Sequence, residues 1–268
     1  MGLRITNISD QNFILRQIQG SASRINEATR RLASGLQINR AADNAAGLAI
    51  AEALRADVLG AQAEIGNVQN ALSLAQTAEG GLGEITSGLQ RLRELALQAS
   101  SGTMSEENRV ALNAEAQQIV EQINQTAEGT EFNGINPLNG SVTTVEVGTA
   151  TGLAIEFQPA TAEALGIDAL DLSTAEGAAA AVGQVDAAIS SVNENRAGMG
   201  AVSNALGSAI ATREVAAENL IAARSRITDA NIALEVTNLV RGQILERGGI
   251  AALAQANIMP QSVINLLS

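Results

Sequence analysis

Between Val182 and Leu245 apolar residues return at every seventh position, and no other feature restricts the fold of this chain as strongly. With Val185 as position d, Val192, Met199, Leu206, Leu220, Ile227 and Leu234 follow in steps of seven, interrupted by Arg213 and Arg241. The a positions are mixed: Val182, Ile189, Ile210, Ala217 and Leu245 share their line with Arg196, Ser203, Arg224, Asn231 and Asn238. This is coiled-coil spacing. One helix over the whole run would be roughly 100 Å long at ~1.5 Å per residue, too long to be the core helix of a compact domain. It needs a partner of similar length, and within the chain the N-terminal half is the candidate.

Composition agrees with long helices packed closely. The only rings are Phe13, Phe132 and Phe157, so the core is built from Ala, Leu, Ile and Val, side chains that let neighbouring helices interlock. Two of the three prolines, Pro137 and Pro159, bracket a short central region, and Pro260 lies near the end. Proline breaks helix interiors, so the flanks on either side of the centre are free to be helical. The chain has no Cys and no His, which removes thiol and imidazole catalysis, disulfides and nearly every transition-metal site. No cofactor is expected. The net charge of −12, with every basic residue an Arg, argues against a nucleic-acid surface. No stretch has the ~20 continuous apolar residues of a membrane span, and the first ten residues lack a signal-peptide core.

Taken in order, residues 3–32 carry Leu3, Ile5, Ile8, Phe13, Ile14, Ile18 and Ile25 near helical spacing, which predicts an amphipathic helix. Residues 34–47 read as a connector. From Leu48 a seven-residue line returns, with Ala61, Val68, Ala75, Leu82, Leu89 and Ala96 on it. Gly80, Gly81 and Gly83 fall within it and predict a bend or loosened turn. Ser105, with Glu106 and Glu107 behind it, predicts the cap of a third helix running to about Gly129. Turn dipeptides at Asn133-Gly134 and Asn139-Gly140, with alternation over 142–147 and 153–157, predict two or three short strands forming a hairpin at one end of the bundle. Ser173-Thr174-Ala175-Glu176 predicts a capping box at the start of the return helix.

The two ends share a property. The segment from Ile232 carries Leu239, Ile244, Leu245, Leu253, Val263, Ile264, Leu266 and Leu267, and a lone helix buries only one face of such a run. Both ends are expected to order when other copies of the chain cover them. Arg213 and Arg241 at d positions need either carboxylate partners, with Glu214, Glu218, Glu235 and Glu246 nearby, or a supercoil drift that turns them to solvent.

Several of these stretches resemble the bacterial flagellin family. Residues 31–39 (Arg-Leu-Ala-Ser-Gly-Leu-Gln-Ile-Asn) and 41–51 resemble its N-terminal signature, as do Gln90 to Gln98 and Phe132-Asn133-Gly134. At the other end Ala223 to Ile227, Gln243 to Leu245, Leu253 to Asn257 and Pro260 to Leu267 are similar to its C-terminal region. The resemblance implies a filament subunit whose terminal helices pack at an inner core, with the bundle around them. It implies polymerisation with other copies, an export chaperone on the C-terminal helix, and contacts with filament cap and junction proteins. Arg91, Leu95 and Glu115 match positions that the flagellin-sensing Toll-like receptor contacts in some members.

The expected fold is therefore mainly α: a long antiparallel coiled-coil helical bundle with a small β-hairpin region at one end, and terminal helices that order on polymerisation. Residues 1–47 and 232–268 are expected to form the terminal-helix inner core domain and residues 48–129 and 173–231 the helical bundle domain. Residues 130–172 form the β-hairpin region in place of variable outer domains. The expected function is a structural, non-enzymatic subunit of a secreted, extracellular flagellar filament serving swimming motility. A hook–filament junction protein and a helical surface adhesion module are the alternatives.

Overall fold

A computed structural model describes residues 8–148 and 152–267, with residues 8–10, 257 and 259–267 described as backbone alone. Five helices and one two-stranded sheet follow in the order α1 (Ile8–Ser34), α2 (Ala45–Ala99), α3 (Glu106–Gly129), β1 (Thr144–Val147), β2 (Leu153–Glu156), α4 (Ala175–Thr228) and α5 (Ile232–Leu267). The fold is mainly α. Its contacts divide into two compact units, Met1–Val58 with Glu218–Ser268 (unit 1) and Leu59–Ala217 (unit 2).

Unit 2 holds the main core. Two ion pairs, Glu64–Arg213 at 3.0 Å and Arg93–Asp186 at 2.6 Å, show α2 and α4 antiparallel, and Arg91–Glu115 at 2.7 Å together with the Arg109 Nε bond to Ala99 O at 2.8 Å shows the same for α2 and α3. The line predicted on α2 is buried throughout, from Ala61 to Ala96, and faces Val185, Val192, Met199 and Leu206 of α4 in one apolar core. Ser105 caps α3 as expected, its side chain accepting from the Asn108 N–H. Strands β1 and β2 pair antiparallel with Val145 opposite Ile155 and Val147 opposite Leu153. Their inward Val147 and Ile155 join the core, and Val145 and Val147 line a groove with Ala71 and Leu74 of α2.

Three local expectations are corrected. The glycines of α2 do not interrupt it, because the helix is continuous from Ala45 to Ala99; Gly81 serves packing instead, as a Cβ there would lie 2.8 Å from Leu138 Cδ1. The cap of α4 is Thr174, whose Oγ1 accepts from Gly177 N at 3.0 Å, while Ser173 donates its own N–H to Asp171. The cap lies one residue later than predicted, and because the third helical position is then Gly177, with no side chain to return a bond, it is a single cap and not a box. The seven-residue line also does not continue as one helix. It breaks at Asp229-Ala230-Asn231, where the Asp229 carboxylate accepts from the hydroxyls of Ser225 and Thr228 and Asn231 Oδ1 accepts from Leu234 N at 3.2 Å. Short polar side chains that bond to nearby backbone favour such caps over helix interiors.

The break resets the phase. Leu234, expected on the buried line, is exposed, and its neighbour Glu235 is buried instead. Gly242 and Gly249 follow Glu235 in steps of seven and face inward with it.

Candidate assembly surface

In unit 1 the two terminal helices lie against each other. A Cβ on Gly249 would come within 2.7 Å of Ile18 Cγ1, and one on Gly242 within 2.8 Å of Ile25 Cγ1. Because the α1 number rises as the α5 number falls, the helices are antiparallel. Glycine is needed at both positions: with no Cβ, α5 admits the branched Ile side chains of α1 directly onto its backbone. Treating each end as a lone helix therefore misses that each covers one face of the other.

A charged group closes this seam. Arg31 Nη1 donates to Glu235 Oε1 at 3.0 Å, and Arg31 Nη2 donates to Glu27 Oε1 at 2.6 Å. Glu235 is only 6% exposed, so its carboxylate depends on Arg31 for compensation. Beyond it the two connectors meet. Gln37 N donates to Thr228 O at 2.6 Å and Ala230 N to Gly35 O at 2.9 Å, bridging Leu36 and Asp229. Gly35 adopts φ +70°, the left-handed conformation that ends α1 and turns the chain toward this bridge. Ile38, next in the connector, is buried, its Cδ1 2.8 Å from where a Cβ on Gly47 would stand.

The other faces of both helices are bare. Of the sixteen large apolar side chains exposed among the described residues, only Leu59, Leu97, Val110 and Val215 belong to unit 2. The other twelve lie in unit 1. Phe13 and Ile244, both 64% exposed, stand out furthest, and Leu245 accompanies them. Ile14, Ile18, Ile25, Leu239 and Leu253, expected on the same surface, are half-buried, with Ile18 and Ile25 turned into the α1–α5 seam. Leu3 and Ile5 lie outside the described residues, as do the side chains of Ile8, Val263, Ile264, Leu266 and Leu267. The residues named for this surface did not include Leu15, Ile232, Val236, Val240, Ile250 and Ile258, all exposed. The signal was present: large apolar residues of α5 such as Ile232, Val236, Val240 and Ile244 recur outside the line of Glu235, Gly242 and Gly249 that faces α1, so one partner helix does not cover them all.

In unit 2 the three residues assigned by resemblance separate. Arg91 and Glu115 are exposed and joined through both Arg91 Nη2 and Nε, at 2.7 and 3.2 Å. Leu95 is 1% exposed, within the apolar core, and offers no surface. Arg213 finds its carboxylate on α2, at Glu64, a partner that sequence proximity did not suggest, while Arg241 is exposed beside the Arg31–Glu235 pair. Sequence reasoning also missed three α3 amides that hold the segment before α4. Asn124 Oδ1 accepts from Ala162 N at 2.8 Å, Asn113 Oδ1 accepts from Leu172 N at 2.9 Å, and Gln117 donates to Leu170 O at 2.7 Å.

Comparison with known proteins places this arrangement. The description "Bacterial flagellin N-terminal helical region" matches residues 5–143, and "Bacterial flagellin C-terminal helical region" matches residues 182–267. The chain is similar to a flagellin of Halalkalibacterium halodurans, at 42% identity over 247 residues covering 90% of this chain and 91% of that protein. It is similar to a flagellin of Bacillus subtilis strain 168 at 35% identity, covering 94% of this chain and 96% of that one. Among solved structures, the crystal structure of Bacillus cereus flagellin aligns with a TM-score of 0.50 at 28% identity, over 55% of this chain and 88% of that chain.

Proposed function

The chain belongs to the bacterial flagellin family and is a structural subunit of the extracellular flagellar filament, and we propose that it polymerises through the bare apolar faces of α1 and α5. The observation that carries this reading is the concentration of twelve large exposed apolar side chains in unit 1. An apolar surface of that extent is a docking surface in a soluble protein. Charge divides the same way. Residues 59–217 hold 5 Arg against 19 acidic residues, a net −14, whereas residues 1–58 and 218–268 hold 11 Arg against 9, a net +2. Copies brought together through unit 1 meet little repulsion there, and the acidic unit 2 keeps its hydration.

On this reading residues 1–47 and 232–268 form the inner core of the polymer and complete their ordering against neighbouring copies, with residues 48–129 and 173–231 as the surrounding bundle. Residues 130–172 stand where other members carry variable domains. Leu3, Ile5, Ile8, Val263, Ile264, Leu266 and Leu267 extend the docking surface toward the chain ends. The same apolar α5 suits an export chaperone that shields it before secretion, and the finished ends suit the cap and junction proteins. A Toll-like receptor contact rests on Arg91 and Glu115 alone, since Leu95 is covered.

The test is polymerisation of the full chain carrying Phe13→Glu or Ile244→Glu, followed by electron microscopy and sedimentation. Both side chains face solvent, so the variants fold, and filaments are expected to disappear. Filaments of normal length from both variants would overturn the assignment.

A further inference from the structure

The α1–α5 seam contains a repeat that leaves its own alignment ambiguous. On α1, Ile18 and Ile25, which press on α5, continue in steps of seven to Leu32; on α5, Gly242 and Gly249, which receive them, continue in steps of seven to Ala256. The observed pairing seats Ile18 on Gly249 and Ile25 on Gly242. Sliding α5 by one heptad would seat Ile18 on Ala256, Ile25 on Gly249 and Leu32 on Gly242. Ile18 and Ile25 meet small residues in both alignments, and Leu32, level with Glu235 in the observed one, would gain Gly242, so apolar packing does not reject the shifted alignment, which differs by about 10 Å along the helices. A repeating apolar seam generally needs a polar or charged contact to specify its register.

We propose that the Arg31–Glu235 pair and the Leu36–Asp229 bridge are the register key of the terminal helices, rejecting the alignment shifted by seven. In the shifted alignment Arg31 faces the Gly242 region instead of Glu235, Glu235 lies level with residue 39, past the end of α1 at Ser34, and loses its cation, and the bonds of Gln37 N to Thr228 O and Ala230 N to Gly35 O are lost. The observed alignment keeps all of these. A mis-registered copy would present Phe13 and Ile244 displaced from one another and would not match its neighbours; this consequence for assembly rests on the proposed docking surface, whereas the key itself does not.

The absence of Cys from the chain gives a direct test. The full-length protein is made with Ile25→Cys plus Gly242→Cys, in which the smaller side chain at position 25 relieves the close approach to position 242, to report the observed alignment, or with Ile18→Cys plus Ala256→Cys, which replaces no glycine, to report the shifted one. Each is oxidised under polymerising conditions and scored for the intrachain disulfide. In the otherwise native background only the first pair is expected to cross-link. Arg31→Glu combined with Gly35→Val, which strains the left-handed turn without filling any occupied space, should shift cross-linking to the second pair by at least tenfold. Arg31→Glu with Glu235→Arg, leaving Gly35 intact, should return it to the first. Shifted cross-links in the native background would overturn the proposal, as would unchanged cross-linking in the Arg31→Glu, Gly35→Val variant or failure of either pair to cross-link in any background. If the cross-links move as expected while the shifted variant still forms normal filaments, the key stands and the docking surface is what fails.

Discussion

Leu138 occupies the space that a side chain on Gly81 would need. A Cβ at Gly81 would lie 2.8 Å from Leu138 Cδ1 and 2.5 Å from Thr130 Oγ1, and that hydroxyl is already committed to Thr126 O at 2.6 Å. Gly80 and Gly83, on the same turns of α2, have nothing within 4 Å. Replacing an exposed helical glycine by alanine stabilises by up to about 1 kcal/mol, whereas overpacking costs about 1 to 3 kcal/mol. Gly80→Ala and Gly83→Ala are therefore expected to raise the unfolding midpoint in denaturant and Gly81→Ala to lower it. The same sign at all three positions would contradict this account.

Burial ranks the ion pairs of unit 2. Glu64–Arg213 has side chains 26% and 31% exposed, against 46% for both members of Arg93–Asp186. Exposed pairs contribute about 0 to 1 kcal/mol and are screened by salt. Double-mutant cycles should give about 1 kcal/mol for Glu64–Arg213, largely retained in about 0.5 M salt, and a smaller coupling for Arg93–Asp186 that salt removes. Equal couplings with equal salt dependence would refute the ranking.

The cap of α4 is assigned to Thr174 over Ser173. Loss of a capping hydroxyl costs about 0.5 to 2 kcal/mol, so Thr174→Ala should destabilise by that amount, with early fraying of residues 175–178 seen by amide exchange. Ser173→Ala contributes only its backbone N–H to Asp171 and should change stability by less than about 0.5 kcal/mol.

Acid should open the connector between α1 and α2. Asp43 Oδ2 accepts the backbone N–H of Asn39 and of Arg40, both at 3.0 Å, and these bonds, that of Asn39 foremost, hold its carboxyl below its ordinary value of 3.8. A depressed folded value means that the stabilisation is complete above the unfolded value and is lost as pH falls through the folded one. The turn at residues 39–43 is thus expected to be intact at neutral pH and to loosen only below about pH 4. Carboxyl-carbon NMR should place the Asp43 midpoint below that of an unstructured Asp, and Asp43→Ala should abolish the acid transition of the turn. An ordinary midpoint would remove the basis for this prediction.

Much of the fold was legible because helix periodicity is local. The α2 line from Ala61 to Ala96, the Ser105 cap, a connector between α1 and α2 (residues 35–44, against 34–47 expected) and the turns at Asn133 and Asn139 all rest on residues within a few positions of one another. The errors lie where a local signal competes with a distant partner. Gly81 reads as a weak point until Leu138 and Thr130 are seen against it, Leu95 reads as surface by resemblance until the core closes over it, and Arg213 takes the distant Glu64 over its neighbour Glu214.

By itself the sequence determined that the chain is helical, apolar at both ends, without the chemistry of an enzyme built on thiol or imidazole, and similar to the flagellins. Spacing, composition and motif are properties of short stretches, and short stretches suffice to read them. Only the tertiary structure decided which way the ends face. A phase-resetting break at Asp229-Ala230-Asn231 moves the buried line of α5 from Leu234 to Glu235, and Arg31, 204 residues away, receives that buried carboxylate. A heptad pattern is unchanged by a step of seven, so it carries the period but not the alignment; the alignment is set by contacts between residues far apart in the chain, which exist only once the backbone has brought them together.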